Sequence, residues 1–244
     1  MGCLCSCLSG KKSAKASVVE PDETPPPPPP PNEPSTASAI EAWTVQEGAR
    51  YDGAFKGGRR HGYGKFTWAN GDTYEGDWSD DAQEGSGKFC TILGDSRYEG
   101  GFRSNMKHGK GKQTWANGDS YEGDWAQGQQ HGQGTFLWGD SSGLNAGNVY
   151  SGEWREGVRE GRGTLTWANG STYTGSWKKD RRHGHGSLVL SNGDKYDGMF
   201  DDDKKHGHGR FEWGEGPWKG HAYDGEWVSD VMEGKGSYIT SLRK

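Results

Sequence analysis

The sequence predicts an all-β fold, an elongated antiparallel meander of β-hairpin repeats that forms an open, twisted ribbon. The main observation is one pattern that occurs eight times: Tyr-x-Gly-x-Trp/Phe, five residues, then His/Glu-Gly-x-Gly. The second observation is the commonest spacing between copies, 23 residues, which lies in the range of repeat architectures rather than of compact enzyme folds. The copies start at Tyr51, Tyr74, Tyr98, Tyr121, Tyr150, Tyr173, Tyr196 and Tyr223.

Each copy is predicted to form two short antiparallel strands. Tyr74, Gly76 and Trp78 lie two residues apart, so they face one side of a strand. Asn70-Gly71 precedes them and is typical of a two-residue type I′ turn, in which both residues have positive φ. Eight copies predict about sixteen strands and, at about 4.8 Å per strand, a sheet roughly 75 Å long.

The second strand of each copy carries a further aromatic pair. In the first copy this pair is Phe66 and Trp68, and Gly62 and Gly64 mark the strand start, where we expect a bend or bulge. A strict two-residue loop would place the pair on the face opposite the next Tyr and Trp, whereas one bulge would place them together. The sequence leaves both arrangements open.

Composition supports an aromatic core of limited size. The 43 glycines include three in every copy, so their abundance is periodic and structural. Leu, Ile and Val are scarce, and rings that each bury roughly 150–250 Å² must supply most of the buried area. Cys90 falls within a repeat strand, and we expect an inert buried thiol there.

The chain divides into a lipid-anchor segment (1–20), a Pro-rich linker (21–42) and a repeat domain (43–244), with the N-terminal tail expected to be disordered. The start, Met-Gly-Cys-Leu-Cys-Ser-Cys, matches the N-myristoylation pattern, with Gly2 as the acceptor. One myristoyl chain binds a bilayer only marginally, so stable anchoring needs a second signal. Palmitoylation of Cys3, Cys5 and Cys7 would supply it. A zinc site is the weaker alternative, because three cysteines without a nearby His fall short of four ligands.

Two other features of the tail fit an anchor on a stalk. Lys11, Lys12 and Lys15 would be attracted to anionic lipids. The unbroken proline run 25–31 favours polyproline II, a semi-rigid spacer. The alternative for the run is a ligand for a proline-binding domain.

The repeat resembles the MORN-repeat family. The family signature, roughly Tyr-Glu-Gly-x-Trp followed by His-Gly-x-Gly, stands at 74–78, at 98–102 with 108–111, and at 121–125 with 131–134. Three copies carry Glu in place of His, at Glu84, Glu160 and Glu233, and two have longer loops, at 141–149 and 215–222. The resemblance implies a partner-binding repeat protein of the kind that organises cortical cytoskeleton, membrane junctions or cilia. It also implies a link to phosphoinositides and phospholipids.

The basic residues that precede the His/Glu-Gly step are the candidate anionic-lipid edge, because successive turns of a meander fall on one edge. The alternative is a solvated edge that prevents sheet-to-sheet pairing. These residues are Arg59, Arg60, Lys107, Arg159, Arg181, Arg182, Lys204 and Lys205. The repeat histidines are interpreted as structural turn residues, and the His-Gly-His stretches at His185 and His208 are weak metal signals without carboxylate support.

Several function classes are disfavoured. The net charge of −5 argues against general nucleic-acid binding. No apolar run reaches about 18 residues, no secretory leader follows Met1, and no Walker loop, kinase set or nucleophile elbow is present. We therefore expect a non-catalytic scaffold without cofactor or metal, held at the cytoplasmic face of a membrane and recruiting protein partners. A phospholipid-binding module is the alternative, and exposed strand edges allow a homodimer.

Overall fold

The computed structural model describes residues 48–240. The predicted lipid-anchor segment, the Pro-rich linker and the predicted disorder of the tail lie outside this part of the chain.

The described residues form one sheet of sixteen strands, and every strand pairs antiparallel with its neighbours in chain order. This confirms the predicted all-β meander and its open, unclosed form. One 3-10 turn, Gly143–Asn145, is the sole helical element of the described range. The strands are β1 (Arg50–Lys56), β2 (Arg59–Thr67), β3 (Thr73–Ser79), β4 (Ala82–Cys90), β5 (Arg97–Arg103), β6 (Met106–Thr114), β7 (Ser120–Ala126), β8 (Gln129–Leu137), β9 (Val149–Arg155), β10 (Val158–Thr166), β11 (Thr172–Lys178), β12 (Arg181–Val189), β13 (Lys195–Asp201), β14 (Lys204–Glu212), β15 (Ala222–Val228) and β16 (Val231–Ile239).

Two kinds of turn alternate along the ribbon, and the prediction for the Asn-Gly turn is wrong. The type I′ geometry, with positive φ at both residues, occurs instead in the two-residue turns inside each repeat, such as Asp80 (φ 47°) and Asp81 (φ 72°). At Asn70-Gly71 only the glycine has positive φ. There the Gly71 N–H donates to the Trp68 carbonyl, which closes a three-residue loop that ends in a left-handed glycine.

The three-residue loop and a bulge place the aromatic side chains of the repeat pattern on one face. Phe66 lies directly opposite Tyr74, and Tyr74 lies opposite Phe89. The predicted irregularity at the Gly-x-Gly step is confirmed, since the pairing register of β1 and β2 shifts there. Of the two arrangements that the sequence left open, the shared face is the one formed.

A row of glycines, one from each strand, lies under the tyrosine rings. Gly76 pairs with Gly64 on one side and with Gly87 on the other, and this pairing continues along the whole sheet. Tyr74 lies flat over the row, and its hydroxyl donates to the Asp77 carbonyl at 3.0 Å. A Cβ added to Gly87 would overlap the Tyr74 ring. Only glycine therefore lets the ring reach the backbone.

The tyrosines are sealed by aromatic rings on both sides. Tyr74 makes edge-to-face contacts with Trp78 of its own repeat at 5.1 Å and with Phe102 of the next at 5.0 Å. The indole N–H of Trp78 donates to the Gly64 carbonyl at 3.1 Å, and four other repeat tryptophans make the equivalent bond. A single sheet thus buries its core without a second layer.

Cys90 does not have the buried position expected from the sequence. It lies opposite Thr73 and Arg97 on the polar face and is only half-buried. The reason is the strand alternation, because the neighbouring Phe89 takes the core-facing position.

The glycine row gives a test by substitution. Gly163→Ala would drive a Cβ into the Tyr150 ring, and we expect it to lower the free energy of unfolding by at least about 3 kcal/mol. Gly170→Ala is the control, because nothing lies within 4 Å of a Cβ there and only its φ of +86° opposes the change. Its cost should stay near 1–2 kcal/mol. Urea unfolding followed by circular dichroism measures both, and equal costs would contradict a steric role for the row.

Candidate interaction surfaces

Five of the eight basic residues predicted as the candidate anionic-lipid edge have buried side chains. Their exposed fractions are 6% for Arg60, 7% for Lys107, 1% for Arg159, 6% for Arg182 and 2% for Lys205. Arg59, Arg181 and Lys204 are exposed, and lipid contact through these three stays a prediction.

The buried cations connect each repeat to the next. The guanidinium of Arg159 lies 4.6 Å from the centre of the Trp177 ring, and its Nε donates to Asp180 Oδ1 at 3.0 Å. The same carboxylate oxygen accepts the Arg159 backbone N–H at 3.0 Å. Burial lowers the pKa of Arg159, and the Asp180 carboxylate opposes that shift. We call this contact, between a buried side chain and the second turn residue of the next repeat, the clasp.

The two residues of a clasp vary together from one repeat to the next. An arginine or lysine faces Asp in four places, and one glutamine, Gln83, faces Asn105. The remaining two positions face glycine. In chain order the pairs are Arg60–Asp81, Gln83–Asn105, Lys107–Gly128, Gln130–Gly157, Arg159–Asp180, Arg182–Asp203 and Lys205–Asp230.

Lys107 is the one clasp cation of the described residues that faces a glycine turn. Its Nζ donates to Gln113 Oε1 at 2.6 Å and lies 4.9 Å from the centre of the Trp125 ring. Burial without a carboxylate lowers the pKa of Lys107 to about 8.

The polar face has a continuous row of directly opposed side chains, beside the glycine row, that changes character along the ribbon. Charges alternate from Lys65 to Glu122, with an ion pair of 3.1 Å between Lys112 and Glu122. Five hydroxyl side chains follow on β8 to β12, and acids and Arg210 continue the row on β13 to β15. The hydroxyl residues are Thr135, Ser151, Thr164, Thr174 and Ser187. A shallow depression over this uncharged stretch is lined in part by Gln133, Arg162 and His185.

The repeat histidines take no part in a metal-binding cluster. His185 and His208 each lie beside one carboxylate, Asp197 at 3.2 Å and Asp224 at 3.4 Å. Within residues 48–240, no group of three or more His, Cys, Asp or Glu side chains is placed to hold a metal ion.

Three long loops on the edge opposite the clasps present exposed apolar side chains. Leu144 (96% exposed) and Trp218 (55%) lie in the two loops predicted to be long, and Leu93 (81%) lies in a third that the sequence analysis missed. The 24-residue step from Tyr74 to Tyr98, one longer than usual, was its signal. No helix in the described range is long and apolar enough to cross a bilayer.

Comparison with protein families gives eight matches to one model, described as MORN repeat, that together cover more than half of the chain. They span residues 51–73, 74–91, 98–120, 121–143, 150–172, 173–195, 196–217 and 223–241. No curated protein sequence is similar enough to serve as a relative.

Comparison with solved structures gives matches of low similarity. The G-box domain of the microcephaly protein CPAP has a TM-score of 0.43 and 12% identity, covering 80% of this chain and 100% of that chain. The SAS-4 (dCPAP) TCP domain of Drosophila melanogaster, in complex with a proline-rich motif of Ana2, has a TM-score of 0.33 and 10% identity over 84% and 97% of the two chains. A mutant TCP10 domain of Danio rerio CPAP has a TM-score of 0.38 and 12% identity over 72% and 77%.

Breaking one clasp should show its energetic weight. In Asp180→Gly the backbone can keep its positive φ, because glycine adopts it readily. The substitution removes the carboxylate that pairs with the buried Arg159 guanidinium. We therefore expect the free energy of unfolding to fall by about 3 kcal/mol. Asp202→Gly removes only an exposed partner of Arg181 and should change stability by about 0.5 kcal/mol or less. Denaturant unfolding measures both, and similar costs would show that the clasp is energetically unimportant.

Lys107 should give stability an unusual pH dependence. Its pKa is about 8 in the folded protein, below the ordinary 10.5, so the unfolded chain binds more protons between these values and stability rises with pH there. From pH 7 to 9.5 the native chain should gain about 2 kcal/mol relative to Lys107→Met. Methionine is a suitable replacement because Met232 holds the same repeat position. Parallel pH profiles of the two proteins would count against a buried lysine that has no carboxylate partner.

Proposed function

The chain belongs to the MORN-repeat family, and we propose that it is a non-catalytic scaffold that recruits protein partners to the cytoplasmic face of a membrane. The observation that carries this proposal is the difference between the two faces of the sheet. The aromatic face is closed by its own rings, whereas the polar face extends over sixteen strands. A long, stiff, solvent-facing surface made of unequal segments suits binding of an extended or helical partner segment.

The exposed loops add to this surface. Leu93, Leu144 and Trp218 are separated along one edge by regular short loops, so they offer individual apolar contacts rather than one large patch. Partner segments could therefore be held at several points along the ribbon.

Membrane attachment in this proposal comes from the N-terminal sequence. Gly2 would carry a myristoyl chain, and Cys3, Cys5 and Cys7 would carry palmitoyl chains, with Lys11, Lys12 and Lys15 adding electrostatic attraction. The proline run would hold the ribbon away from the bilayer. By analogy with the family, the setting would be the plasma membrane, a flagellum or the cell cortex.

Membrane association in cells tests the anchor. The full chain should move to the soluble fraction when Gly2→Ala is combined with serine at Cys3, Cys5 and Cys7, because both acyl signals are lost. Arg59→Gln with Arg181→Gln and Lys204→Gln is the matched control in the repeats and should leave association unchanged. If the acyl-site variant stays at the membrane while the repeat variant leaves it, the anchor assignment is wrong.

Direct binding of anionic phospholipid by the repeats is the second candidate function. It is favoured by the exposure of Arg59, Arg181 and Lys204 on one edge, although an ion pair of 3.0 Å with Asp202 partly neutralises Arg181. Phosphatidylserine vesicles should then bind the full, non-acylated chain at physiological salt and lose binding with the repeat variant. Absence of binding would reject this candidate.

A homodimer is a further part of the proposal. β16 is an edge strand with Val231 and Tyr238 exposed at 58% and 68%, and such an edge can pair with a second copy. Light scattering of the full chain at two concentrations measures the mass, and a concentration-independent monomer would exclude the dimer.

A further inference from the structure

Two neighbouring clasps differ from the rest because their turn residue has no side chain. Gly128 stands opposite Lys107, and Gly157 stands opposite Gln130. In each case the backbone contact is kept: the glycine N–H donates to the carbonyl of the clasp residue at 3.0 Å. These two clasps therefore lack only the side-chain acceptor. Both lie in the middle of the ribbon.

The intact clasps show which group fits there. Asp230 Oδ1 accepts the Lys205 backbone N–H at 2.7 Å and lies 3.8 Å from Lys205 Nζ. Opposite the glutamine of another clasp, the acceptor is an amide oxygen: Asn105 Oδ1 accepts the Gln83 backbone N–H at 2.8 Å. A lysine clasp thus takes a carboxylate, and a glutamine clasp takes a side-chain amide.

The position of this acceptor is reachable from solvent. The aspartate side chains that occupy it elsewhere remain 13% to 42% exposed, although the cations beneath them are nearly inaccessible. Around a Cβ built on Gly128 nothing lies within 4 Å, and at Gly157 the nearest atom is Gln130 Oε1 at 3.5 Å. Both turns therefore have room for a polar group that arrives from outside.

Within the described part of the chain, these two clasps lack different things: Gln130 has an unpartnered amide N–H group, and Lys107 has the neutral Gln113 oxygen as its partner but no carboxylate. Gln130 is 1% exposed, and its buried Nε2 has no hydrogen-bond partner there. Lys107 has no carboxylate within ion-pair distance among the same residues, and burial lowers its pKa. A buried donor left unpaired is costly, as is a buried cation without a counter-charge, so a polar group from outside would be stabilised at both points.

We propose that the surface formed by Lys107, Gly128, Gln130 and Gly157, the clasp notch, binds an acidic segment of a protein partner. One carboxylate of the partner takes the place of the missing aspartate at Lys107. A neutral side-chain amide of the partner lies at Gln130. This inference rests on the proposed function, because it names the kind of partner that the scaffold holds.

The spacing and charge of the notch restrict the kind of partner segment that fits it. The two turns are one repeat apart, or two strand spacings, which is about 10 Å. In an extended peptide that distance separates residues about three positions apart. The single cation suits one carboxylate better than a multiply charged lipid surface, and the exposed Glu156 beside Gly157 favours a neutral amide there.

Hexa-aspartate peptide is the probe for this site, with hexa-asparagine as its uncharged counterpart. Titrated into the full, non-acylated chain and followed by backbone amide NMR, hexa-aspartate should shift the amide signals of Lys107, Gln130 and their turns. Hexa-asparagine should bind at least tenfold more weakly. If hexa-aspartate leaves these signals unchanged, or if phosphatidylserine vesicles shift them and the peptide does not, the proposal is overturned.

Substitutions that put the missing side chains into the notch give the matched variants. Gly128→Asp with Gly157→Asn restores the acceptors found in the other clasps, at a φ of 82° that is near the 72° of Asp81 and the 66° of Asn105. This variant should weaken hexa-aspartate binding at least tenfold and raise the thermal midpoint. Gly58→Asp, at the first turn of the described ribbon, follows no clasp residue of the described range; it should leave peptide binding unchanged and, at a φ of 82°, lower the thermal midpoint. Unchanged peptide binding in the filled variant would overturn the notch.

The outcomes separate the notch from the wider proposal. In one outcome the full chain stays at the membrane and captures partners in cells, but the filled variant still binds hexa-aspartate. The assignment of the notch is then wrong, and the scaffold function stands. If hexa-aspartate binding is lost in the filled variant but the chain captures no partner, the notch stands and the scaffold function is wrong.

Discussion

The contact between tyrosine rings and a glycine row is the constraint on which the rest of the ribbon depends. A single antiparallel sheet normally exposes one apolar face, which would need a second layer. Here the rings lie directly on the backbone, because each strand gives one glycine to the row and a Cβ there would overlap a ring. Tryptophan or phenylalanine rings then close the gaps from both sides, and Tyr74, Tyr98, Tyr121, Tyr150 and Tyr173 are fully buried.

The clasps extend this arrangement from one repeat to the next. A cation such as Arg159 covers the rings and is held by a carboxylate from the following turn, 21 residues later. Stability in such an array depends on contacts between neighbours, so a change at one turn acts on the adjoining repeat. The glycine turns at Gly128 and Gly157 interrupt the sequence of clasps in the middle of the ribbon, where the polar face also changes from charged to hydroxyl side chains.

The repeat pattern was sufficient to predict the strand number, the meander and the aromatic core, because Tyr, Gly and Trp recur at fixed spacing. The turns were predicted less well: Asn70-Gly71 matched a type I′ sequence, but the backbone bonds at Trp68 close a longer loop. The burial of five basic side chains was not predicted for a related reason. Arg60 lies just before the bulge, and the register shift turns its side chain onto the aromatic face, which simple alternation does not predict. Its aspartate partner is distant in sequence, so local patterns give no signal for the clasp.

The ionisation of the tyrosines tests the central claim most directly. Burial raises the pKa of Tyr74, Tyr98, Tyr121, Tyr150 and Tyr173 far above 10. A raised folded pKa contributes stability below pH 10 that is lost as pH rises further. Absorbance of phenolate, recorded with circular dichroism during alkaline titration, should show these tyrosines ionising only as the β signal disappears. Reversible titration near pH 10 with the β signal intact would contradict rings sealed on a glycine row.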